Sequence, residues 1–457
     1  MHARSKVLLT LLAASLGVAT GCGPIDKLLG KDTPTPTPGG SGTPTPTPTG
    51  GTPTPLPPPA QTTSGEITTF DWGTVSLPAG NSPVFTFTAP ANAIGVEFLA
   101  LGPAANANDI FIFYNVKSPT GTVIDNSGGG PEQQAPNTGL AAFPLPASDA
   151  AISAVSSGTY KFQVAVFSGT NPNPAIATSP HVLAKVRTRL GGLANNNILK
   201  INVVVVAGAK TLLTAANAGS DLEVSGAISE MNALYNTVGI SVVVDAYYDL
   251  STATFADIGS EAELEQMFLT SSQIPNDFLT VYLINGFSGA FAGGVAGIAG
   301  GIPIPNDFNG TSHSGVAIAL QGGTGVVTGE DMAHETAHSL GLYHTTEFDG
   351  TTFDPISDTP TCPTINTSVN GCADHDNVMF PQLTGTTTGF STGQGKVIRP
   401  ALNVASGASF APAMHAPSRP ALASGDFPRT REGLAIQCVL RHPRFIPAVP
   451  LPLPDAE

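Results

Sequence analysis

His334-Glu335-Thr336-Ala337-His338-Ser339-Leu340-Gly341-Leu342-Tyr343-His344 places three of the chain's nine histidines within eleven residues. On an α-helix, His334 and His338 share one face with Cβ atoms about 5–6 Å apart, so both imidazoles can reach one tetrahedral ion. Glu335 lies beside that pair, where a carboxylate can take a proton from water activated by the metal. A helix that simply continued would carry His344 about 15 Å along the axis from His334, beyond reach of the same ion. Gly341 resolves this, because glycine accepts the left-handed conformation that ends a helix and turns the chain back. Upstream, Thr328-Gly329-Glu330-Asp331 predicts the helix start, with Thr328 as cap and the acids at the positive end of the dipole. The pattern predicts a metal centre of His334, His338 and His344 with Glu335 as general base. Three imidazoles leave a fourth position for water, which favours catalysis over the plainer alternative of a structural zinc.

These residues resemble the signature of the metzincin zinc proteases, a group that also carries a methionine turn beneath the metal. Met379, in Asp376-Asn377-Val378-Met379-Phe380, stands at the matching position. Gly341-Leu342-Tyr343-His344-Thr345, Asp358-Thr359-Pro360, the Cys362 and Cys372 pair, and the helix-like Gly393-Gln394-Gly395-Lys396-Val397-Ile398-Arg399 are similar to the pappalysin (cytophagalysin) branch. The resemblance implies one catalytic Zn2+ and a metzincin-type α+β catalytic domain with mixed sheet, active-site helix and Met-turn. It also implies a zinc-dependent endopeptidase that hydrolyses extracellular proteins by metal-activated water. The branch usually has a tyrosine two residues after the turn methionine; here Pro381 takes its place, so that tyrosine's role is not carried over. Related secreted proteases use calcium, and Asp354, Asp358, Asp374 and Asp376 offer hard oxygens for Ca2+, with solvated loop acids as the alternative. His313, His375 and His415 are read as structural or solvent-facing rather than as cleft residues.

The formal charge of -15, from 18 Lys+Arg against 33 Asp+Glu, excludes a nucleic-acid binder in the absence of a basic patch. The N-terminus settles the expected compartment. His2, Arg4 and Lys6 precede an apolar run over residues 7–18 that is too short to span a membrane. The following Ala19-Thr20-Gly21-Cys22 resembles a bacterial lipobox in which Cys22 carries a lipid; an ordinary cleaved signal is the alternative. The expected protein is thus exported to the bacterial cell envelope as an outer-membrane or cell-surface lipoprotein, anchored or released. In such a setting Cys362 and Cys372, which enclose a short polar loop, are expected to pair as a disulfide, leaving Cys438 without a partner.

The organisation reads as signal peptide 1–21, lipid-anchored Thr/Pro-rich linker 22–64, all-β sandwich 65–190, catalytic domain 195–420 and Pro-rich tail 421–457. The Thr-Pro alternation within the linker favours an extended polyproline stalk. Short β-type runs such as Val84-Phe85-Thr86-Phe87-Thr88 and Ile110-Phe111-Ile112-Phe113-Tyr114 predict a jelly-roll-like sandwich, either a spacer or a carbohydrate or protein binder. Beyond residue 195, continuous apolar runs at 201–206, 240–244 and 278–284 predict buried strands. Val224, Ile228, Met231 and Tyr235 define a helix face between them, which implies a mixed sheet backed by helices. The Gly/Ala-rich stretch 289–301 reads as an irregular loop leading to an edge strand near 315–320. Expected partners are protein or peptide substrates and a membrane reached through the lipid. The rival reading is a catalytically inactive cell-surface binding or adhesion lipoprotein whose working part is the sandwich; the intact Glu335 argues against it.

Overall fold

A computed structural model describes residues 56–407, apart from residues 78–81, 104–108, 126–129, 135–137, 169–177, 194–195, 307 and 366–370. The signal-like segment, Cys22, the Thr/Pro tract to residue 55, His415, Cys438 and the 421–457 tail lie outside the described residues. Within them the protein is a mixed α+β structure, and no helix is long and apolar enough to cross a membrane.

The first unit comprises β1 (Ala60–Ser64), β2 (Ile67–Thr74), β3 (Phe85–Ala89), β4 (Ala93–Leu101), β5 (Asp109–Lys117), β6 (Val123–Asp125), β7 (Leu140–Leu145), the short α1 (Asp149–Ile152), β8 (Gly158–Ser168) and β9 (His181–Thr188). They form two sheets, β1-β2-β9-β4-β7 and β3-β8-β5-β6, with antiparallel pairing throughout. Alternation decides the facing: Phe85 and Phe87 are buried while Thr86 and Thr88 are exposed. Rings from both sheets close the core, with Phe98 of β4 4.6 Å from Phe162 of β8 and Phe85 stacked on Phe162 at 4.9 Å. β1 starts at Ala60, inside the stretch assigned to the linker. All five of its side chains are exposed, so its backbone ladder to β2 makes the strand and no hydrophobic pattern announces it.

The second unit contains β10 (Asn197–Val206), α2 (Ala215–Ala218), α3 (Leu222–Asn236), β11 (Ile240–Leu250), β12 (Asp257–Ile258), α4 (Glu261–Leu269), β13 (Leu279–Ile284), β14 (Gly286–Phe287), β15 (Gly297–Ala299), β16 (Val316–Ala319), α5 (Val326–Ser339), α6 (Thr392–Ile398) and β17 (Val404–Ser406). Its main sheet runs β11-β10-β13-β16-β15, the first four strands parallel and β15 antiparallel, with β17 pairing back onto the start of β10. Parallel strands covered on both faces carry mostly apolar runs, such as residues 203–206 and 281–284, and here α3 and α5 cover one face while α4 packs on the other. The edge strand is β15, inside the stretch expected to be an irregular loop, whereas Val316–Ala319 is an inner strand. Of the three residues of β15 only Ile298, buried in the core, favours a strand; the ladder to β16 and packing against α5 hold the flanking Gly297 and Ala299 in place.

Buried polar links join the two units. Arg187 of β9, 1% exposed, donates from Nε to Glu66 Oε2 (2.9 Å) and from Nη1 to the carbonyls of Arg399 (2.6 Å) and Ala401 (3.1 Å), just past the end of α6. Glu66 also accepts from the Ser406 hydroxyl, and Glu97 Oε1 accepts from Asn306 N at 3.0 Å. Arg187→Ala strips these acceptors of their charged donor at the junction; the expected loss is about 3 kcal/mol, seen as a lower guanidinium midpoint.

Burial also pushes two carboxyls up to about 7: Glu132 of the first unit and Asp354 of the second. Between the ordinary carboxyl range, near 4, and 7, the folded chain keeps these two protons while the unfolded chain has released them, so the part of the stability these carboxyls contribute falls as pH rises through that window; the buried His313, His334 and His338, held below their ordinary value, contribute in the opposite direction. Glu132→Gln with Asp354→Asn should remove the carboxyl contribution, so that the variant gains melting temperature relative to wild type at pH 8 more than at pH 5.

Candidate metal centre

α5 supplies two histidines from inside the molecule, since both rings are buried. It begins at Val326 behind Gly325, two residues before the expected cap. Thr328 therefore lies within the helix, donating its hydroxyl to Glu223 Oε1 of α3 at 3.1 Å. Contact with α3 sets this helix start, and no side chain caps it. The acids expected at the positive end are inside the helix as well; Glu330 accepts from Gly385 N (2.9 Å) and Thr387 N (3.0 Å), tying down the loop before α6.

The C-terminal end of α5 determines the geometry. Leu342 N donates to Ala337 O (3.0 Å) and Gly341 N to His338 O (2.9 Å), the paired bonds of a Schellman turn with Gly341 at φ +104°. The turn reverses the chain and brings His344 back beside the helix. The three Nε2 atoms of His334, His338 and His344 then lie 3.0, 3.1 and 3.1 Å from one another.

Each ring is oriented from its other nitrogen. His334 Nδ1 donates to Val378 O (2.7 Å), His338 Nδ1 to Leu342 O (2.7 Å), and His344 Nδ1 to the Glu347 carboxylate (3.0 and 3.2 Å). Carbonyls and carboxylates only accept, so the protons sit on Nδ1 and the Nε2 lone pairs converge. Burial, with His344 close by, pushes the His334 ring down to about 3, and burial beside both other rings holds His338 well below its ordinary value. Three imidazoles whose Nε2 atoms converge in this way could hold a metal ion. Zn–N distances of about 2.0–2.1 Å in a tetrahedron separate neighbouring nitrogens by about 3.3 Å, close to the spacing found, so the donor set fits zinc.

Glu335, 1% exposed, accepts from Ala299 N of β15 at 2.7 Å through Oε2. Gly297 makes room for it: a Cβ there would lie 2.6 Å from Glu335 Cγ and 2.8 Å from both carboxylate oxygens of Asp331. Met379 is fully buried in the core shared with Ala333 and Ala337 of α5. Its turn serves two ligands, since Val378 O holds His334 and Met379 O accepts from Thr345 N (3.0 Å), next to His344. Asn377 shapes the turn by accepting from Met379 N (2.8 Å) and pairs reciprocally with Gln394 of α6 (3.0 and 3.1 Å).

Cys362 and Cys372 form a disulfide with Cα atoms 5.1 Å apart. Cys362 N donates to Thr346 Oγ1 (2.9 Å), so the bridged loop is attached just beyond His344. The four aspartates considered for calcium do not gather. Asp354 accepts from Thr359 (2.6 Å), Asp358 from Ser391 Oγ and Gly393 N (2.7 Å each), Asp374 from Thr345 and Thr346 (2.7 and 2.9 Å), and Asp376 from Thr388 (3.3 Å). Among the described residues, only two sets of three His, Cys, Asp or Glu ligand atoms lie within 4.8 Å of one another: the three histidines, and Cys362, Cys372 and Asp374, whose sulfurs are already bonded. His313 is buried between the units, with Nδ1 2.6 Å from Gly300 O and Nε2 3.2 Å from Thr138 O; His375 is exposed.

Sequence reasoning missed Glu347, Gln394 and the β15 backbone. Glu347 had a usable signal, an acid three residues after a metal-type histidine; the others are brought in only by the fold.

No protein-family profile matches the chain, and no curated protein matches it. Among solved structures, metalloproteinase-II from Bacteroides fragilis aligns at 12% identity over 49% of this chain, with a TM-score of 0.30. The match spans 63% of that protein's length. A family two carbohydrate esterase from Cellvibrio japonicus aligns at 13% identity over 42% of this chain and 48% of its own, with a TM-score of 0.13. Likenesses this loose define no fold family, and the site geometry stands without them.

Gly341→Ala tests the turn. Its nearest neighbour, Pro144 Cγ at 3.7 Å, leaves space for a methyl, so the cost is conformational, about 1–2 kcal/mol for a non-glycine residue at this φ. The variant is expected to fold with weakened metal affinity, measured by competition with a chelator of known affinity.

Proposed function

We propose that this chain is a zinc-dependent endopeptidase of the metzincin type, with His334, His338 and His344 holding the metal and Glu335 as general base. The observation that carries the reading is the triangle of Nε2 atoms 3.0–3.1 Å apart, each ring fixed through Nδ1. The three imidazoles would hold a zinc ion, which when bound would supply a Lewis acid and lower the pKa of water beside it. Glu335 accepts the proton of the attacking water and returns it to the leaving amine. The Ala299 N–H fixes the Glu335 carboxylate for that task. β15 is the terminal strand of its sheet among the described residues, and an extended peptide adding to its outer edge would bring a backbone amide past Glu335. Met379 acts structurally beneath the site.

The pappalysin branch, export, lipidation at Cys22 and attachment to the cell envelope belong to the same proposal. They are supported by the sequence motifs, and the Cys362–Cys372 disulfide is consistent with an oxidising compartment.

Purified protein is expected to carry one zinc per chain by mass spectrometry and to cleave an unfolded protein substrate. Glu335→Gln should keep the zinc and lose about 10²–10⁴-fold in turnover. A wild type without metal, or a variant with undiminished cleavage, would overturn the proposal.

A further inference from the structure

The sandwich reaches the metal centre through the residue between two of its turning points. Tyr343 follows Leu342, whose carbonyl orients His338, and precedes His344. Its ring is 3% exposed, and its hydroxyl donates to Pro131 O at 2.9 Å, with Gln133 O at 3.3 Å. Both acceptors belong to residues 130–134 of the first unit.

That acceptor segment is itself anchored. The Gln133 side chain bonds both the amide of Phe113 on β5 (3.2 Å) and its carbonyl. Gln134 N donates to Ala142 O of β7 (2.9 Å), and Glu132 Oε1 accepts from Ser148 Oγ (2.6 Å). Three attachments thus hold the carbonyls that receive the Tyr343 hydroxyl against both sheets and the start of α1.

A second face of the same turn also meets the sandwich. The atoms nearest a Cβ at Gly341 are Pro144 Cγ (3.7 Å) and Ala147 Cβ (3.9 Å), on β7 and the turn after it. Chain reversal after α5 therefore takes place against a wall built by the other unit. His334 and His338 are placed by one helix, whereas the position of His344 depends on how these few residues fold back.

From these contacts we infer that the sandwich is part of the scaffold of the metal centre. Tyr343 is the positioning residue through which it sets the approach of His344 and, by way of Leu342, the ring of His338. The inference rests on the reading of the three histidines as a metal site. It assigns the sandwich a role in the reaction centre distinct from spacing or ligand capture, and makes that role independent of any surface binding site.

The test uses the full chain and two variants. Tyr343→Phe keeps the ring and removes the donor; Gln133→Ala frees the acceptor segment from β5 without touching the second unit. The readouts are zinc affinity by chelator competition, the visible spectrum of the cobalt(II)-substituted protein, and the melting temperature of the metal-free protein. Both variants are expected to lose about tenfold or more in zinc affinity and to shift the cobalt bands, as is typical when a partner that orients a metal ligand is removed. If wild type binds metal and either folded variant matches it in affinity and spectrum, whatever the change in melting temperature, the contact is packing alone and the inference fails. Should Tyr343→Phe not fold, Gln133→Ala decides by the same criteria. A wild type that binds neither zinc nor cobalt overturns the metal reading and this inference with it.

Discussion

Three unprotonated imidazole nitrogens facing one another at 3.0–3.1 Å in a buried site repel unless a cation lies among them. The second unit is organised around making that arrangement the one available. Each Nδ1 proton is committed to an acceptor on a different segment: the Met379 turn, the Schellman turn and Glu347. None of the three rings can rotate away without breaking a buried hydrogen bond, which for a polar group out of contact with water is expensive. Preorganisation of this kind moves the ordering cost from metal binding to folding, and the core of α3, α5 and the parallel sheet supplies the folding energy.

The parts legible in the sequence were those whose cause is local. Two histidines one helical turn apart, a glycine where the chain must reverse, and apolar runs at strand length all act within a few residues, and α3 appears where Val224, Met231 and Tyr235 set its face. Among the strands not foreseen, β1 carries five exposed side chains and β15 is three residues long with one large side chain, Ile298, too short a stretch for an alternating pattern to show. The misplaced start of α5 has a tertiary cause, since Thr328 is used by Glu223, distant in the chain, instead of as a cap. The aspartates illustrate the converse. Their composition suits calcium, yet each is engaged by nearby hydroxyls or amides, and only the fold decides between those uses.

Long separation in the chain also hides the junction between the units. Tyr343 meets residues near 131, and Arg187 meets the end of α6, each pair more than two hundred positions apart. In both, a buried side chain, Arg187 or Tyr343, donates to half-buried carbonyls of the other unit. The Arg187 guanidinium sits against carbonyls of the second unit, so the two units meet through specific hydrogen bonds. The junction also holds Asn306, downstream of β15, so the edge strand and the histidine turn are braced from the same side.

β17 brings the described chain to a close where the second unit began, with Ser406 opposite Asn197 in the ladder and its hydroxyl on Glu66. Mechanically, this makes the exit of the chain a fixed anchorage. Ser406 is held both by the β17–β10 ladder and, through Glu66, by Arg187 in the other unit. From Arg187 the contacts run back through the carbonyls of Arg399 and Ala401 to α6, whose Gln394 pairs with Asn377 in the turn that holds His334, so the end of the described chain, both units and the histidine site share one continuous set of contacts.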